Sequence, residues 1–244
     1  MSILANAVLQ HISHDWNERH WIGQGCLPVE FRDAAPLLRL ASAPGMHWPY
    51  LTLVKASAQP AIRDFTTAIP GYRQRGIDLE RLSRLIADGY TLKYQRIEDF
   101  NDAIRATAIA VQGHFGLPTT AYAFVTPAES RGLSFHRDAS HVVAVQLEGQ
   151  KHWEIVRPAG GANPNAGLEP TPQGEPTSFV LSPGDVLYLP HGWPHRARTS
   201  SDRSTHLTFT IARPHPSALA TELLVDGRAT PDAVLSNAVH RLGV

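Results

Sequence analysis

The chain has 244 residues, of which 22 are basic, 22 acidic and 13 histidine, and it contains a single cysteine. Because the formal net charge is zero, no long-range attraction to nucleic acid or to an anionic membrane is expected, and neither is predicted as a partner. Cys26 has no second cysteine to pair with, and no apolar stretch reaches the roughly 18 residues of a membrane span, so we predict a cytoplasmic protein.

The first part of the chain, residues 1–118, has the pattern of a helical and mixed region. Apolar residues recur at three- and four-residue spacing in residues 3–16, 77–87 and 102–115, which is typical of amphipathic helices. The last of these ends at Gly-Leu-Pro, a sequence that stops helices. The intervening TLKYQRI is a candidate strand.

From Thr120 the apolar residues alternate, and residues 119–213 are predicted to form a β-barrel core. Turn-forming sequences separate the candidate strands, which are AYAFVT, HVVAVQL, KHWEIV, SFVL, DVLYLP and THLTFTI. Short strands at this spacing favour a barrel or a double-sheet sandwich over alternating strands and helices. The predicted fold class is therefore mainly β with flanking helices.

Two further segments have less specific patterns. Residues 159–176 are rich in proline, glycine and asparagine, and they form either a disordered insertion or a flap over an active site. Residues 214–244 are predicted to be a short helical tail that covers a sheet face or forms a dimer contact, so a homodimer is one assembly that this tail would support.

The first chemical motif is the pair His136 and Asp138, two residues apart in SFHRDAS. In an extended strand these side chains project from the same face, so an imidazole and a carboxylate can converge on one point. That spacing supplies two of the three ligands of the two-histidine, one-carboxylate triad that holds non-haem Fe(II). By itself the pair is weak evidence, since a chain with 13 histidines and 22 acids produces it by chance.

The second motif, LPHGWPHRA, supplies a candidate third ligand. Proline fixes φ and glycine permits a tight turn, so the final histidine can point back into a barrel. His191 and His195 both compete for the role. The spacing Pro-x-Gly-x-x-His resembles the second cupin motif, in which the final histidine is the ligand, and so favours His195. His191 is then expected in the loop near the entrance.

Lys151 is the third candidate. The alternation in KHWEIV places it on one face with Trp153 and Ile155, so its ammonium faces the barrel interior and needs an anionic partner. The carboxylate of a bound 2-oxoglutarate that is distant from the metal would be such a partner. The alternative is an ammonium that reaches out to solvent at the strand start. For Trp153 and Trp193, packing is favoured over contact with substrate.

Together these segments resemble a known family. The run FVTPAESRGLSFHRDASHVVAVQLEGQKHW, followed by GDVLYLPHGWPHRA and STHLTFT, is similar to the JmjC-type cupin oxygenases that include the ribosomal oxygenases, and the resemblance extends over about residues 15 to 212. It implies a double-stranded β-helix that binds Fe(II) and 2-oxoglutarate, uses O2, and hydroxylates a side chain in a protein or a ribosomally made peptide.

Carried onto matching positions, the resemblance implies that His136, Asp138 and His195 bind iron and that Lys151 pairs with the cosubstrate's distant carboxylate. It places Thr210, with Thr208 as the close alternative, beside the cosubstrate. Tyr122 stands where some relatives carry an asparagine near the cosubstrate. No catalytic side chain is expected beyond the metal centre, since the metal and cosubstrate perform the chemistry. The alternatives are a small-molecule hydroxylase on the same scaffold and a non-catalytic cupin that binds a metal or ligand.

Overall fold

The computed structural model describes residues 2–56, 59–159 and 165–213. The helices within these ranges are α1 (Asn6–His14), α2 (Ala35–Arg39), α3 (Leu79–Ala87) and α4 (Asp102–Phe115). Short 3-10 helices lie at Val29–Phe31, Leu40–Ser42, Ile62–Asp64 and Ile97–Asp99. The strands, in chain order, are β1 (Trp21–Gly23), β2 (His47–Trp48), β3 (Leu51–Val54), β4 (Thr66–Ala68), β5 (Arg75–Ile77), β6 (Thr91–Gln95), β7 (Thr119–Thr126), β8 (His136–Arg137), β9 (Ser140–Glu148), β10 (Lys151–Ile155), β11 (Gly167–Leu168), β12 (Thr177–Leu181), β13 (Val186–Leu189), β14 (His195–Arg198) and β15 (Ser204–Ala212).

The three predicted N-terminal helices are present as α1, α3 and α4. Side chains at their starts explain two of the boundaries: the Ile104 amide donates to the Asn101 side chain at 3.1 Å, and the Arg81 amide donates to Asp78 at 3.0 Å. Such bonds satisfy backbone donors that the helix leaves free. The predicted tail, residues 214–244, lies outside the described residues. Within the part described, no helix is long and apolar enough to cross a membrane.

The strands form two main antiparallel sheets. The larger sheet has the order β1-β13-β9-β15-β7-β6-β3, and the smaller has the order β11-β8-β14-β10-β12. A separate three-stranded sheet has the order β2-β5-β4. The six predicted strands of the central region are present, and the expectation of a mainly β fold with flanking helices is confirmed.

The N-terminal region adds strands to the larger sheet. Strand β6 pairs with β7, β3 pairs with β6, and β1 pairs with β13 at the opposite end. Two edges of the central sheet are therefore covered by residues that precede the barrel, which leaves fewer unpaired backbone groups at those edges.

Strand β9 is buried on both faces. Val143 and Val145 pack into the cluster that the N-terminal helices cover. Val142 and Ala144 pack into a second cluster with Trp153 of β10, so this cluster lies between the two main sheets. Alternate residues of one strand thus serve two cores, which explains why HVVAVQL is almost continuously apolar.

The turn between β9 and β10 is tight because of a glycine. Gly149 has φ of 63°, and a Cβ at this position would lie 2.0 Å from the carbonyl oxygen of Arg203. Only a residue without a side chain fits a backbone that approaches so closely. The turn fixes the point at which β10 enters the space between the sheets, and therefore the position of Lys151, its first residue.

Candidate metal centre and adjoining cavity

His136 and His195 face each other across neighbouring strands. They are register partners in the antiparallel pair β8 and β14, and their ring centroids are 4.2 Å apart. Directly opposed residues in such a pair have their Cβ atoms within about 5.5 Å. The two imidazoles, far apart in the chain, are therefore brought together by strand pairing.

Asp138 completes a cluster with these histidines. One potential ligand atom from each of His136, Asp138 and His195 lies within 4.8 Å of the others, and His195 Nε2 is 3.6 Å from Asp138 Oδ2. The Gly192 amide donates to the main-chain carbonyl of Asp138 at 2.8 Å. Gly192 has φ of 70°, so the predicted glycine turn links the loop before His195 directly to Asp138, the residue that follows β8.

Both imidazoles are oriented by hydrogen bonds to backbone carbonyls. His136 Nδ1 donates to Ser134 O at 2.9 Å, and His195 Nδ1 donates to Trp193 O at 2.9 Å. Because a carbonyl only accepts, each Nδ1 carries the proton and each Nε2 keeps its lone pair for a metal. Two imidazoles and one carboxylate are the donor set of the facial triad that binds non-haem Fe(II). The residues therefore fit such an ion.

The electrostatics of the cluster also favour a metal. Burial, and then the neighbouring His195, lower the pKa of His136 to about 4, so its imidazole is neutral near pH 7. A metal binds the neutral imidazole, so no proton has to be displaced there. His195 is 4% exposed, whereas the Asp138 side chain is 37% exposed. The cluster is therefore sealed on the side of β14 and open on the side of Asp138.

A cavity of about 290 Å³ adjoins the cluster and extends between the sheets to Lys151. As the alternation predicted, Lys151, Trp153 and Ile155 share the buried face of β10. Lys151 is 2% exposed, and its ammonium donates to Thr126 Oγ1 at 2.6 Å. Burial lowers its pKa to about 7. The alternative in which this ammonium reaches solvent is wrong.

Two further polar groups in the cavity have no hydrogen-bond partner among the described residues. They are Trp153 Nε1 and His206 Nδ1, both fully buried, and both residues line the same cavity as Lys151. An indole N–H can only donate. Trp153 Nε1 and the Lys151 ammonium are therefore buried donors, and a buried donor needs an acceptor. A carboxylate is such an acceptor. This end of the cavity therefore fits the distant carboxylate of 2-oxoglutarate.

The three less specific candidates also lie on the cavity. Tyr122, Thr208 and Thr210 line it, and Thr208 is the register partner of Tyr122 across β15 and β7. The Thr210 hydroxyl donates to the Thr120 carbonyl at 3.2 Å. Burial raises the pKa of Tyr122, which keeps its phenol neutral. The structure therefore brings all of the predicted site residues to one cavity.

Sequence reasoning missed Lys93 and His206. Lys93 lies at the middle of β6 and lines the cavity. His206 lies on β15, and burial together with Lys151 lowers the pKa of its imidazole well below the usual value. The alternation in TLKYQ places Lys93 on one face of the strand and the apolar Leu92 and Tyr94 on the other. Such a pattern ordinarily indicates a solvent-facing lysine, so it does not by itself predict a cavity residue.

His191 lies away from the metal cluster. It lies in the turn between β13 and β14, so it is a loop residue as expected, but it is 3% exposed and does not line the cavity, so it is not at the entrance. Its Nε2 is 3.2 Å from an Arg213 guanidinium nitrogen, and its ring centroid is 5.0 Å from that of His141. Trp193 packs in the cluster between the sheets, in agreement with the packing interpretation.

Part of the long segment 159–176 lies against the site. Residues 160–164 are outside the described residues. Beyond them, β11 pairs with β8, with Leu168 opposite His136, and Glu169 forms an ion pair with Arg137. Ala166 lines the cavity. Ala166 and β11 therefore form part of the wall of the site.

Lys151 should make the stability of the metal-free protein depend on pH. In the folded state its pKa is about 7, whereas an unfolded lysine titrates at about 10.4. Between these values the unfolded chain binds more protons than the folded chain, so the free energy of unfolding rises with pH, by at most about 1.4 kcal/mol per unit. Below the folded pKa both states are protonated, and the cost of the buried ammonium is present in full.

Urea unfolding of the wild type and of Lys151→Met, with a chelator and across roughly pH 6.5 to 10, measures this term. We expect the variant to be more stable near neutral pH and its advantage to shrink as the pH rises. Because the other titrating groups are common to both proteins, their contributions cancel. An advantage that stays constant with pH would contradict a lowered lysine pKa.

The JmjC domain family matches residues 94–219, just over half of the chain. The chain belongs to this family. The match begins in β6 and includes His136, Asp138, Lys151 and His195. The expected resemblance to the JmjC-type cupin oxygenases is confirmed.

Curated relatives match about half of this JmjC chain. Ribosomal oxygenase 2 of Rattus norvegicus is 35% identical over 124 residues, which are 49% of this chain and 27% of the relative. The bifunctional lysine-specific demethylase and histidyl-hydroxylase NO66 of Drosophila persimilis is 35% identical over 111 residues, 44% of this chain and 16% of that protein. The matched region therefore spans only a minor part of each relative.

Solved structures show the same fold over more of the chain. Escherichia coli YcfD superposes with a TM-score of 0.59 at 17% identity and covers 100% of this chain and 67% of that chain. The structure of YcfD described as a ribosomal oxygenase in complex with cobalt and 2-oxoglutarate has a TM-score of 0.56 at 16% identity and covers 95% of this JmjC chain and 60% of its own. These similarities support the predicted JmjC and cupin barrel.

Proposed function

We propose that the protein is an Fe(II)- and 2-oxoglutarate-dependent oxygenase that hydroxylates an amino-acid side chain in a protein or peptide. The observation that carries this proposal is the pairing of His136 with His195, each with Nδ1 hydrogen-bonded to a carbonyl, beside Asp138. His136, Asp138 and His195 would hold the ion, and a triad of this kind leaves coordination positions open for cosubstrate and O2. A cupin that only binds a metal does not require the buried lysine beside the same cavity.

Lys151 supports the choice of cosubstrate. Its ammonium, Trp153 Nε1 and the His206 ring lie at the buried end of the cavity, where a carboxylate would accept from the indole N–H and from the ammonium protons that Thr126 does not use. Thr126, which accepts from Lys151 at 2.6 Å, fixes the direction of the ammonium. YcfD, whose fold is similar, has been crystallised with cobalt and 2-oxoglutarate, which adds support from a related scaffold.

When bound, Fe(II) and 2-oxoglutarate activate O2, so that a C–H bond becomes C–OH while 2-oxoglutarate is converted to succinate and CO2. The protein's own residues bind, orient and exclude water. The carbonyl-bonded imidazoles hold their Nε2 lone pairs toward the ion. Trp153, Val142 and Ala197 provide apolar walls to the cavity. The more exposed Asp138 marks the side from which substrate and O2 can approach.

The polypeptide substrate is supported by the relatives. One relative is named a ribosomal oxygenase, and the other is named a lysine-specific demethylase and histidyl-hydroxylase. In this chain the opening beside Asp138 is bordered by the segment containing β11, whose Leu168 is 67% exposed. An exposed extended segment at the rim suits contact with a polypeptide backbone. We propose the same border residues as part of the substrate surface.

Purified protein with Fe(II), 2-oxoglutarate and air should form succinate slowly without any added substrate, and faster with a polypeptide that gains 16 Da. Succinate formation is measured by quantifying succinate, and the gain of 16 Da is measured by mass spectrometry of candidate proteins and peptides. Titration with Mn(II) under nitrogen tests cosubstrate binding alone. Binding without succinate formation would indicate a non-catalytic cupin, and the absence of both would eliminate the oxygenase.

A further inference from the structure

Lys93 is a second lysine in the cavity, on the opposite sheet from Lys151. It is the register partner of Phe124 across β6 and β7, and its ammonium lies 5.8 Å from the centroid of the Phe124 ring and 5.1 Å from that of Tyr122. Contacts of this kind attract a cation to the ring face. All three residues line the cavity, so the two rings hold the ammonium at its wall.

The Lys93 ammonium has no hydrogen-bond acceptor or ion-pair partner among the described residues. Asp138 is the only acidic side chain among those that line the described cavity, and it belongs to the metal cluster. Its charge reaches Lys93, since it raises the pKa of this lysine while burial, the larger effect, lowers it. A partly buried cation without an acid of its own is costly unless a ligand supplies the negative charge.

The charges of the loaded site leave Lys93 unbalanced. In the proposed function, which this argument assumes, Fe(II) and Lys151 together carry three positive charges, and Asp138 and 2-oxoglutarate together carry three negative charges. The imidazoles that bind the ion do so in their neutral form and add no charge, and burial keeps the His206 imidazole neutral by lowering its pKa. Lys93 adds one further positive charge. A single negative charge is therefore missing from the site.

The two lysines lie at different distances from the metal cluster. Lys151 is four residues along β10 from Ile155, the register partner of His195, and its ammonium contacts Thr126. The Lys93 ammonium instead lies over Tyr122, four residues from Thr126 along β7. 2-Oxoglutarate binds the metal at one end, so its distant carboxylate must pair with the lysine that lies farther from the metal. That lysine is Lys151. Lys93, which lies over Tyr122 and whose pKa is raised by the charge of Asp138, is then the lysine nearer the ion.

We propose that Lys93 determines specificity by binding a carboxylate of the substrate, so that the hydroxylated segment carries an aspartate or glutamate at or next to the modified residue. A single ammonium between two aromatic rings suits a carboxylate with one charge. A phosphate usually has more donors around it, from arginine forks or helix N-termini.

An adjoining cavity has the same sign of charge. It has a volume of about 130 Å³ and shares Leu133 and Ala197 with the main cavity. Its basic side chains are Arg131, Arg196 and Arg198, and Glu154 is the acidic one among its described lining residues. Glu154 pairs with Arg196 at 2.6 Å. The remaining arginines give the rim a positive potential that favours an acidic polypeptide.

The test uses small probes, because the substrate is not needed to measure the charge preference. Protein saturated with Mn(II) and 2-oxoglutarate under nitrogen is titrated with N-acetyl-aspartate amide or with its uncharged isostere, N-acetyl-asparagine amide. Paramagnetic relaxation of the probe's protons reports binding near the ion. We expect the acidic probe to bind about ten-fold more tightly or better to the wild type, and the ratio to fall to about one in Lys93→Met.

Lys55→Met is the matched control. Lys55 also lies over an aromatic ring, with its ammonium 5.0 Å from the centroid of Tyr90, but it does not line the cavity. This variant and Lys93→Arg should both retain the preference. Equal binding of the two probes to the wild type, or a preference that persists in Lys93→Met, would overturn the proposal, as would tighter binding of N-acetyl-phosphoserine amide. Failure of 2-oxoglutarate to bind in the loading step would instead refute the proposed function, and the role of Lys93 with it.

Discussion

Replacing Asp138 with alanine should reduce the metal-dependent conversion of 2-oxoglutarate by more than about 100-fold, because losing a group that only orients a metal ligand already costs about 10- to 100-fold. Asp138 supplies the only negative charge of the three-residue cluster. Without it, two neutral imidazoles hold the ion less tightly and leave an extra position for water. Mn(II) affinity, measured by calorimetry, should fall together with succinate formation.

The fold should survive this substitution. The Asp138 side chain is 37% exposed, so alanine leaves no sealed void, and the hydrogen bond from the Gly192 amide uses the main-chain carbonyl. Thermal unfolding of the metal-free variant should therefore be close to that of the wild type. Asp202→Ala is the matched control, because Asp202 is an exposed carboxylate away from the cavity. If Asp138→Ala retains more than about a tenth of the wild-type activity, Asp138 is not a metal ligand.

Lys151→Met should lower the affinity for 2-oxoglutarate by roughly 100-fold or more, since removing one partner of a buried ion pair costs about 3–5 kcal/mol. The residue is 2% exposed, so water cannot replace the ammonium beside the distant carboxylate. Methionine keeps most of the length and apolar contacts of the lysine stem, which separates loss of charge from loss of packing. Calorimetric titration of the Mn(II)-loaded protein under nitrogen measures the change.

The affinity for Mn(II) should change much less than the affinity for 2-oxoglutarate, because Lys151 is four residues along β10 from Ile155, the register partner of His195. Lys93→Met provides the comparison within the same cavity and should lower the affinity for 2-oxoglutarate by less than about ten-fold. If Lys93→Met has the larger effect on the cosubstrate, the assignments of the two lysines must be exchanged. Equal loss of metal and cosubstrate in Lys151→Met would show that the lysine supports the fold of the whole site.

The sequence predicted those parts of the site that depend on local spacing. The two-residue spacing of His136 and Asp138 and the glycine turn before His195 each constrain a few adjacent residues, and alternation within KHWEIV correctly directs Lys151 inward. Likewise, the periodic segments gave the main helices and the six central strands, because their buried faces follow the period of the element.

The rest depends on pairing between distant residues. Strands β8 and β14 are short and polar where they carry the histidines, so they have no apolar alternation to reveal them, and their mutual register is a long-range property. Lys93 shares this difficulty. In TLKYQ it alternates with Leu92 and Tyr94, which pack in the main core, and an isolated strand of this kind would expose its lysine. It becomes a cavity residue only because the second sheet covers that face.

The opposition of His136 and His195 also has a consequence for folding. These residues form the one register pair between β8 and β14, and a slip of one residue in either strand would turn one imidazole to the opposite face. A molecule with such a slip could retain most of its secondary structure and still fail to assemble the chelating cluster. Metal binding therefore distinguishes molecules with the native register of β8 and β14 from molecules with a shifted register. Metal added during refolding should increase the fraction with the native register, because it binds only that form.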